Sequence, residues 1–167
     1  TKGEHRSVLV SRFPNGRIIK ADYSQHELRC YAAVAGDMVF LQEFARGKVA
    51  DPHQGTCDAL RAMGVDTDRP TSKNVNFAVI YVVTAPTLEA RYHIPREIGS
   101  RIIKSMHKLH PALKAHWKAV LTQAREHGYY ESIFGLRRHL AADNRREERQ
   151  LINFSVQCPA VVFSYIA

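Results

Sequence analysis

Apolar and polar positions first alternate in short β-type runs, then shift to helical spacing for most of the chain. "SVLV" (7–10) and "GRIIKADY" (16–23) are β-branched and apolar, and "SRFPNG" between them carries the turn chemistry of Pro14-Asn15-Gly16. This pattern predicts a β-hairpin ending at Asp22. Helical spacing follows from Ser24 to Gly36. Asp37 can cap a second helix ending near Gly47, and Asp51-Pro52 opens a third that stops at Gly64. "DTDRPTSKNVNFAVIYVVT" predicts another helix, with Thr67 or Asp68 as cap and Pro70 in its first turn, ending before Pro86. Residues 87–127 read as helices interrupted at Pro95 and Pro111 and stopped by Gly128. "YYESIF" and "LRRHL" around Gly135 predict a small hairpin, and "DNRREERQ" opens a final helix. The predicted class is α+β, mostly helical.

The predicted helix after Pro70 carries two kinds of face. Arg69, Lys73, Phe77 and Tyr81 are four residues apart and advance about 40° per step, so they share one stripe. Val75, Val79, Ile80, Val82 and Val83 are left to pack elsewhere, which releases the cation-aromatic stripe for a ligand. Two cations followed by two aromatics suit a nucleoside triphosphate, with charge for the phosphates and ring faces for sugar and base. An amphipathic helix with its aromatics in the core is the other reading of the same residues.

Composition narrows the classes. The 167 residues are 45% hydrophobic and 24% charged, enough for one globular domain or a large piece of one. Lys and Arg outnumber Asp and Glu by 24 to 16, a formal charge of +8, which points to a polyanionic partner. The three cysteines, Cys30, Cys57 and Cys158, form no C-x-x-C pair, so neither a disulfide framework nor a zinc site is expected and a reducing compartment fits. No apolar run reaches the roughly 20 residues that span a membrane, so a soluble, cytoplasmic protein with no membrane partner is expected. The start on Thr1 and the uncapped apolar end "VVFSYIA" read as a fragment of something longer.

"DYSQHELR" (22–29) resembles the carboxylate motif D-Y-S-Q-[IL]-E-L-R of the family A DNA polymerases at seven of eight positions. The resemblance continues in order. "GKVADPHQGTCDAL" is similar to the D-x-H-x-x-T-A segment, and "RPTSKNVNFAVIY" to the R-x-x-x-K-x-x-x-F-x-x-x-Y-G fingers helix. "GYYESIFGLRRHL" resembles G-Y-x-E-T-x-x-G-R-R-x-x-L, and "INFSVQ" resembles I-N-x-P-x-Q. By this resemblance the chain is a truncated part of a right-hand polymerase. It would comprise a palm segment with the metal-binding strand (1–36), fingers helices (37–127), and a hairpin and helix returning to the palm (128–167).

The resemblance also assigns roles. Asp22, with the backbone carbonyl of Tyr23, would hold metal, and Asp22 and Lys73 would be catalytic. Gln25, Glu27, His53, Arg69, Lys73, Phe77 and Tyr81 would bind the deoxynucleoside triphosphate, with Glu27 crowding a 2′-hydroxyl and His53 approaching the phosphates. Arg137 and Arg138 would meet primer-template DNA at phosphates, and Asn153 and Gln157 near the primer terminus, by contacts common to every base pair. The implied reaction is attack of a primer 3′-hydroxyl on the α-phosphate, assisted by two Mg²⁺ ions. The second carboxylate comes from an H-D-E segment that this sequence lacks, so the segment alone is expected to be inactive.

Four departures stand out. His26 replaces an aliphatic residue, Ala78 and Val82 replace glycines, and "QCPA" (157–160) stands where the family has Q-G-T-A. Val82 is expected to crowd the templating base, and Pro159 to kink the last helix. A non-catalytic nucleic-acid-binding relative is the alternative function, and a single-subunit RNA polymerase a third. Retention of Asp22, Glu27, Arg69 and Lys73 favours the DNA-synthesising enzyme. A phage or bacterial source suits so short a chain.

Overall fold

The computed structural model describes residues 10–19, 22–45 and 51–166. Helices dominate: α1 (His26–Ala35), α2 (Met38–Ala45), α3 (Pro52–Ala62), α4 (Arg69–Ile80), α5 (Ala85–Tyr92), α6 (Arg96–Leu109), α7 (Ala112–His127) and α8 (Arg145–Ile166). Between α7 and α8 lies an antiparallel pair, β1 (Tyr129–Glu131) and β2 (Arg137–His139), with Tyr130 opposite Arg138. The tight turn between them passes through Gly135 at φ 76°, where a side chain would be strained.

Local chemistry sets most of the boundaries. Asp51 accepts from the backbone N–H groups of His53 and Gln54 at 3.0 and 3.2 Å, which starts α3. Asp68, not Thr67, caps α4 by accepting from the Thr71 N–H at 2.8 Å, with Pro70 in the first turn. Gly36 closes α1 in the left-handed region at φ 65°. The apolar faces then meet in three clusters. Leu28, Tyr31, Phe40, Leu113 and Val156 surround Ile80 at the end of α4. Leu60, Val75, Leu88, Ile94 and Ile102 join α3 to α6 on its other side. Val120, Tyr130, Leu151 and Ile152 bind α7, β1 and α8 together. Helix α4 therefore sits between two cores, and Trp117 of α7 donates its indole N–H to the carbonyl of Ile80 at 3.0 Å, satisfying a group that the helix end leaves open.

A buried polar group fixes the turn from α1 into α2. Asp37, 1% exposed, accepts from the Tyr31 hydroxyl at 3.0 Å and from the Phe40 N–H at 3.3 Å. Nδ1 of His110, 2% exposed, lies 3.0 Å from its Oδ2, and the imidazole stacks on Phe40 with centroids 4.1 Å apart. Burial pushes the Asp37 carboxyl up, but the hydrogen bond and charge of His110, with the other donors, more than offset this and hold it below its usual value.

One expectation needs correction. The turn at 13–16 is present, with the Gly16 N–H donating to the Phe13 carbonyl at 3.0 Å, but no strand forms at residue 10 or over 16–19 and 22–23. The other flanking positions, 7–9 and 20–21, lie outside the described residues. An isolated two-stranded ribbon is marginal in water, and here its apolar residues face solvent, Ile19 at 93% exposure. Among the described residues the strand content is therefore β1–β2. The predicted end of α2 near Gly47 also falls outside the described residues. Pro159 lies within α8, which runs as one helix over Arg145–Ile166; the proline removes one donor and does not divide it.

Val82 lies beyond the end of α4. Its N–H donates to the Val79 carbonyl at 3.2 Å and the Val83 N–H to the Ala78 carbonyl at 2.9 Å, the paired bonds of a Schellman ending, with Val82 at φ 60° in the position that glycine usually fills. A β-branched residue is strained there by roughly 1–2 kcal/mol, and its half-buried side chain packs on the third cluster. Comparison of Val82→Gly with Val82→Ala isolates the strain, since both lose that packing. The glycine variant is expected to be about 1 kcal/mol more stable than the alanine variant, the reverse of the order inside a helix, as measured by equilibrium denaturation. Equal stabilities, or alanine ahead, would place Val82 in a relaxed backbone.

Candidate nucleotide and nucleic-acid site

The stripe on α4 forms as its spacing predicts, and its first member is already engaged. Arg69 Nε donates to Asp51 Oδ2 at 2.5 Å, so the carboxylate that caps α3 also ties down the first turn of α4. That hydrogen bond, before the backbone donors, holds the Asp51 carboxyl below its usual range. The positive ends of two helices are thereby placed together beside Arg69 and Lys73. Lys73 is exposed, with Nζ 5.9 Å from the centre of the Phe77 ring, and Phe77 lies 5.8 Å from the ring of His53. His53 itself is 2% exposed, and burial keeps its imidazole pKa below the usual value.

At the far end of the stripe, three distant segments meet. The half-buried Tyr81 hydroxyl donates to Glu27 of α1, and Gln157 of α8 lies beside the same hydroxyl. Burial first, and then the Glu27 carboxylate, drive the Tyr81 phenol far above its ordinary pKa, so it remains a donor. A cavity of about 390 Å³ opens next to it, lined by Phe77, Tyr81, Val82, Arg91, Arg149 and Asn153. The Asn153 Oδ1 is buried there without a partner among the described residues, an acceptor that a nucleobase or water donor would satisfy. Gln25, on a left-handed backbone at φ 53° just before α1, also has a buried Oε1 with no partner among the described residues.

Asp22 and Tyr23 are exposed ahead of α1. The Tyr23 ring stacks on His26 at 4.9 Å, and His26 Nε2 donates to the Ala160 carbonyl at 2.7 Å, so the residue that departs from the motif fastens this segment to α8. The Asp22 carboxylate and a backbone carbonyl are hard oxygen donors of the kind a divalent ion takes. Among the described residues no group of three or more His, Cys, Asp or Glu side chains gathers, so they fit part of a metal shell and not all of it.

The basic hairpin is paired within the chain. Arg137 donates to Glu131 at 2.5 Å and lies over the Tyr129 ring at 4.5 Å. Arg138 donates to Gln150 and lies 3.9 Å from Glu147. The sequence singled out the stripe, His53, Glu27 and Asn153 as candidates, and did not single out Arg91 and Arg149, which line the cavity, or Thr56 and Asn76, whose side chains bond to one another beside His53. An asparagine between valine and phenylalanine in mid-helix is the signal that was available for Asn76, because its side chain disfavours helix interiors unless it is held.

The helical cluster closed around α4, with a small hairpin and a long α8 packed on α1, has the architecture of part of a polymerase domain. A likeness in fold to the polymerase domain of Pol1 from M. smegmatis, determined in complex with DNA primer-template and dNTP, has a TM-score of 0.63 at 23% identity. It covers 83% of this chain and 25% of that one. The model of DNA polymerase family A matches residues 1–163, and the chain belongs to that family. DNA polymerase I of Chloroflexus aurantiacus is 34% identical over 166 residues, covering 92% of this chain, and thermostable DNA polymerase I of Thermus thermophilus is 32% identical over 151 residues, covering 84%. The chain spans 17% and 18% of the length of those relatives. No helix among the described residues is long and apolar enough to cross a membrane.

Proposed function

We propose that this chain forms the nucleotide-facing part of a longer polymerase, which transfers a nucleotide from a deoxynucleoside triphosphate to a primer 3′-hydroxyl on a DNA template. The observation that carries this reading is the Tyr81–Glu27 hydrogen bond, which closes the carboxylate-bearing segment against the cation-aromatic stripe across 54 residues of sequence. Residues 1–36 would belong to the palm, 37–127 to the fingers and 128–167 to the return to the palm. Asp22 and the Tyr23 carbonyl would hold Mg²⁺, which when bound neutralises phosphate charge and lowers the pKa of a coordinated hydroxyl.

The remaining work falls to side chains of the chain itself. Arg69 and Lys73 attract and orient the triphosphate, and His53 supplies a further donor. The Phe77 ring receives the sugar and base, while Glu27, held by Tyr81, limits the space at the 2′ position. Asn153 and Gln157 offer polar contacts to the primer-template, and the basic hairpin supplies Arg137 and Arg138 for phosphates. Glu27→Ala in the full-length polymerase should raise ribonucleotide over deoxynucleotide incorporation by about tenfold or more, the scale of a lost steric contact. An unchanged ratio in single-turnover extension would remove Glu27 from sugar selection.

A further inference from the structure

We propose that Asn76 is the positioning residue that fixes the tautomer of His53, holding the imidazole neutral with its proton on Nε2. The hydrogen bonds run in one direction. The Thr56 hydroxyl donates to Asn76 Oδ1 at 2.9 Å, and the amide nitrogen is turned toward His53. Asn76 Nδ2 lies 3.1 Å from His53 Nδ1, and an amide nitrogen can only donate. Nδ1 must therefore offer a lone pair, and the ring proton resides on Nε2.

The surroundings agree with a neutral ring. His53 and Asn76 are 2% and 5% exposed, and burial opposes an imidazolium. Of the charged groups that face the ring, Asp51 on the α3 side favours protonation but is already bonded to Arg69, while Arg69 and Lys73 on α4 oppose it. Thr56 and His53 are three apart on α3, and Asn76 comes from α4, so the relay also locks the two helices in register. On the nucleotide-binding reading above, His53 then offers a phosphate oxygen an uncharged donor whose strength does not change as pH crosses the ordinary histidine range.

The test needs no nucleotide, so its outcome is separate from that of the polymerase reading. In the full chain labelled with ¹⁵N-histidine, long-range proton–nitrogen spectra distinguish protonated from lone-pair ring nitrogens, and loss of one pattern in His53→Gln assigns the residue. His53 is expected to show lone-pair Nδ1 and protonated Nε2, unchanged from pH 7.5 to 6. Asn76→Asp replaces the donor by an acceptor and should move the proton to Nδ1 or charge the ring, with the apparent titration shifted upward. A protonated Nδ1 in the unsubstituted chain overturns the proposal, as does an unaltered pattern in a folded Asn76→Asp chain. If that variant does not fold, the tautomer of the unsubstituted chain decides alone.

Discussion

Asp22→Ala in the full-length polymerase is expected to lower primer extension by about a thousandfold or more while duplex affinity stays within a few-fold. A carboxylate that holds a divalent ion at the reacting phosphate accounts for several kcal/mol of transition-state stabilisation, and about 4 kcal/mol corresponds to three orders of magnitude in rate. Among the described residues no hydrogen bond or ion pair depends on it. Asp22 is exposed, and the first turn of α1 begins on Gln25 without a side-chain cap, so the substitution removes chemistry and spares structure. On the proposed reading, duplex affinity rests on the basic residues elsewhere, chiefly through phosphates. Single-turnover extension and a filter-binding titration on the same preparation separate the two quantities. Extension within tenfold of the unsubstituted enzyme would show that Asp22 is not a metal ligand.

Asp37→Ala is expected to destabilise the chain by roughly 3–5 kcal/mol, the usual cost of removing one member of a buried polar pair. It strands the Tyr31 hydroxyl, the Phe40 N–H and His110 Nδ1 together at the junction of α1, α2 and α6, and all three are buried. Denaturant unfolding followed by circular dichroism gives the value, and a loss under 1 kcal/mol would show that water reaches the site. Asp37 and three histidines set an acid limit. Burial holds His53, His107 and His116 below the usual histidine value in the folded chain. The unfolded chain therefore binds more protons, and stability falls as pH drops through about 6.5. Asp37, whose carboxyl is held below its unfolded value, adds its loss at lower pH, as acid passes from the unfolded to the folded pKa. The denaturation midpoint should fall steadily from pH 7.5 to 5, and a flat profile would exclude a buried neutral histidine set.

Helix starts were legible because their signals are local. Asp51-Pro52 and Asp68 before Pro70 declare themselves, and the four-residue spacing of Arg69, Lys73, Phe77 and Tyr81 fixes a stripe whatever surrounds it. The end of α4 was not legible. "VIYVVT" continues an apolar run, and only the bonds from Val82 and Val83 back into the helix reveal that the chain has already turned. The predicted strand is not formed over 16–19 for a related reason, since β-propensity describes a surface that must find partners. Contacts between distant segments, such as Glu27 with Tyr81 or His26 with Ala160, leave no periodic trace; the family resemblance placed Glu27 near the nucleotide but did not pair it with Tyr81.

The internal pairing of the basic hairpin bears on how ionic strength would act on the encounter with DNA proposed for it. Each phosphate neutralised by a free cation releases close to one condensed counterion, which sets the steepness with which affinity falls as salt rises. Arg137 and Arg138 begin on Glu131, Gln150 and Glu147. When either swings to a phosphate, the carboxylate left behind gathers cations of its own, so the contact is an exchange of partners with little net change in ions. Affinity in this region would vary less with salt than a count of arginines suggests. Removing Glu131 would make the binding tighter and, at the same time, more easily washed away.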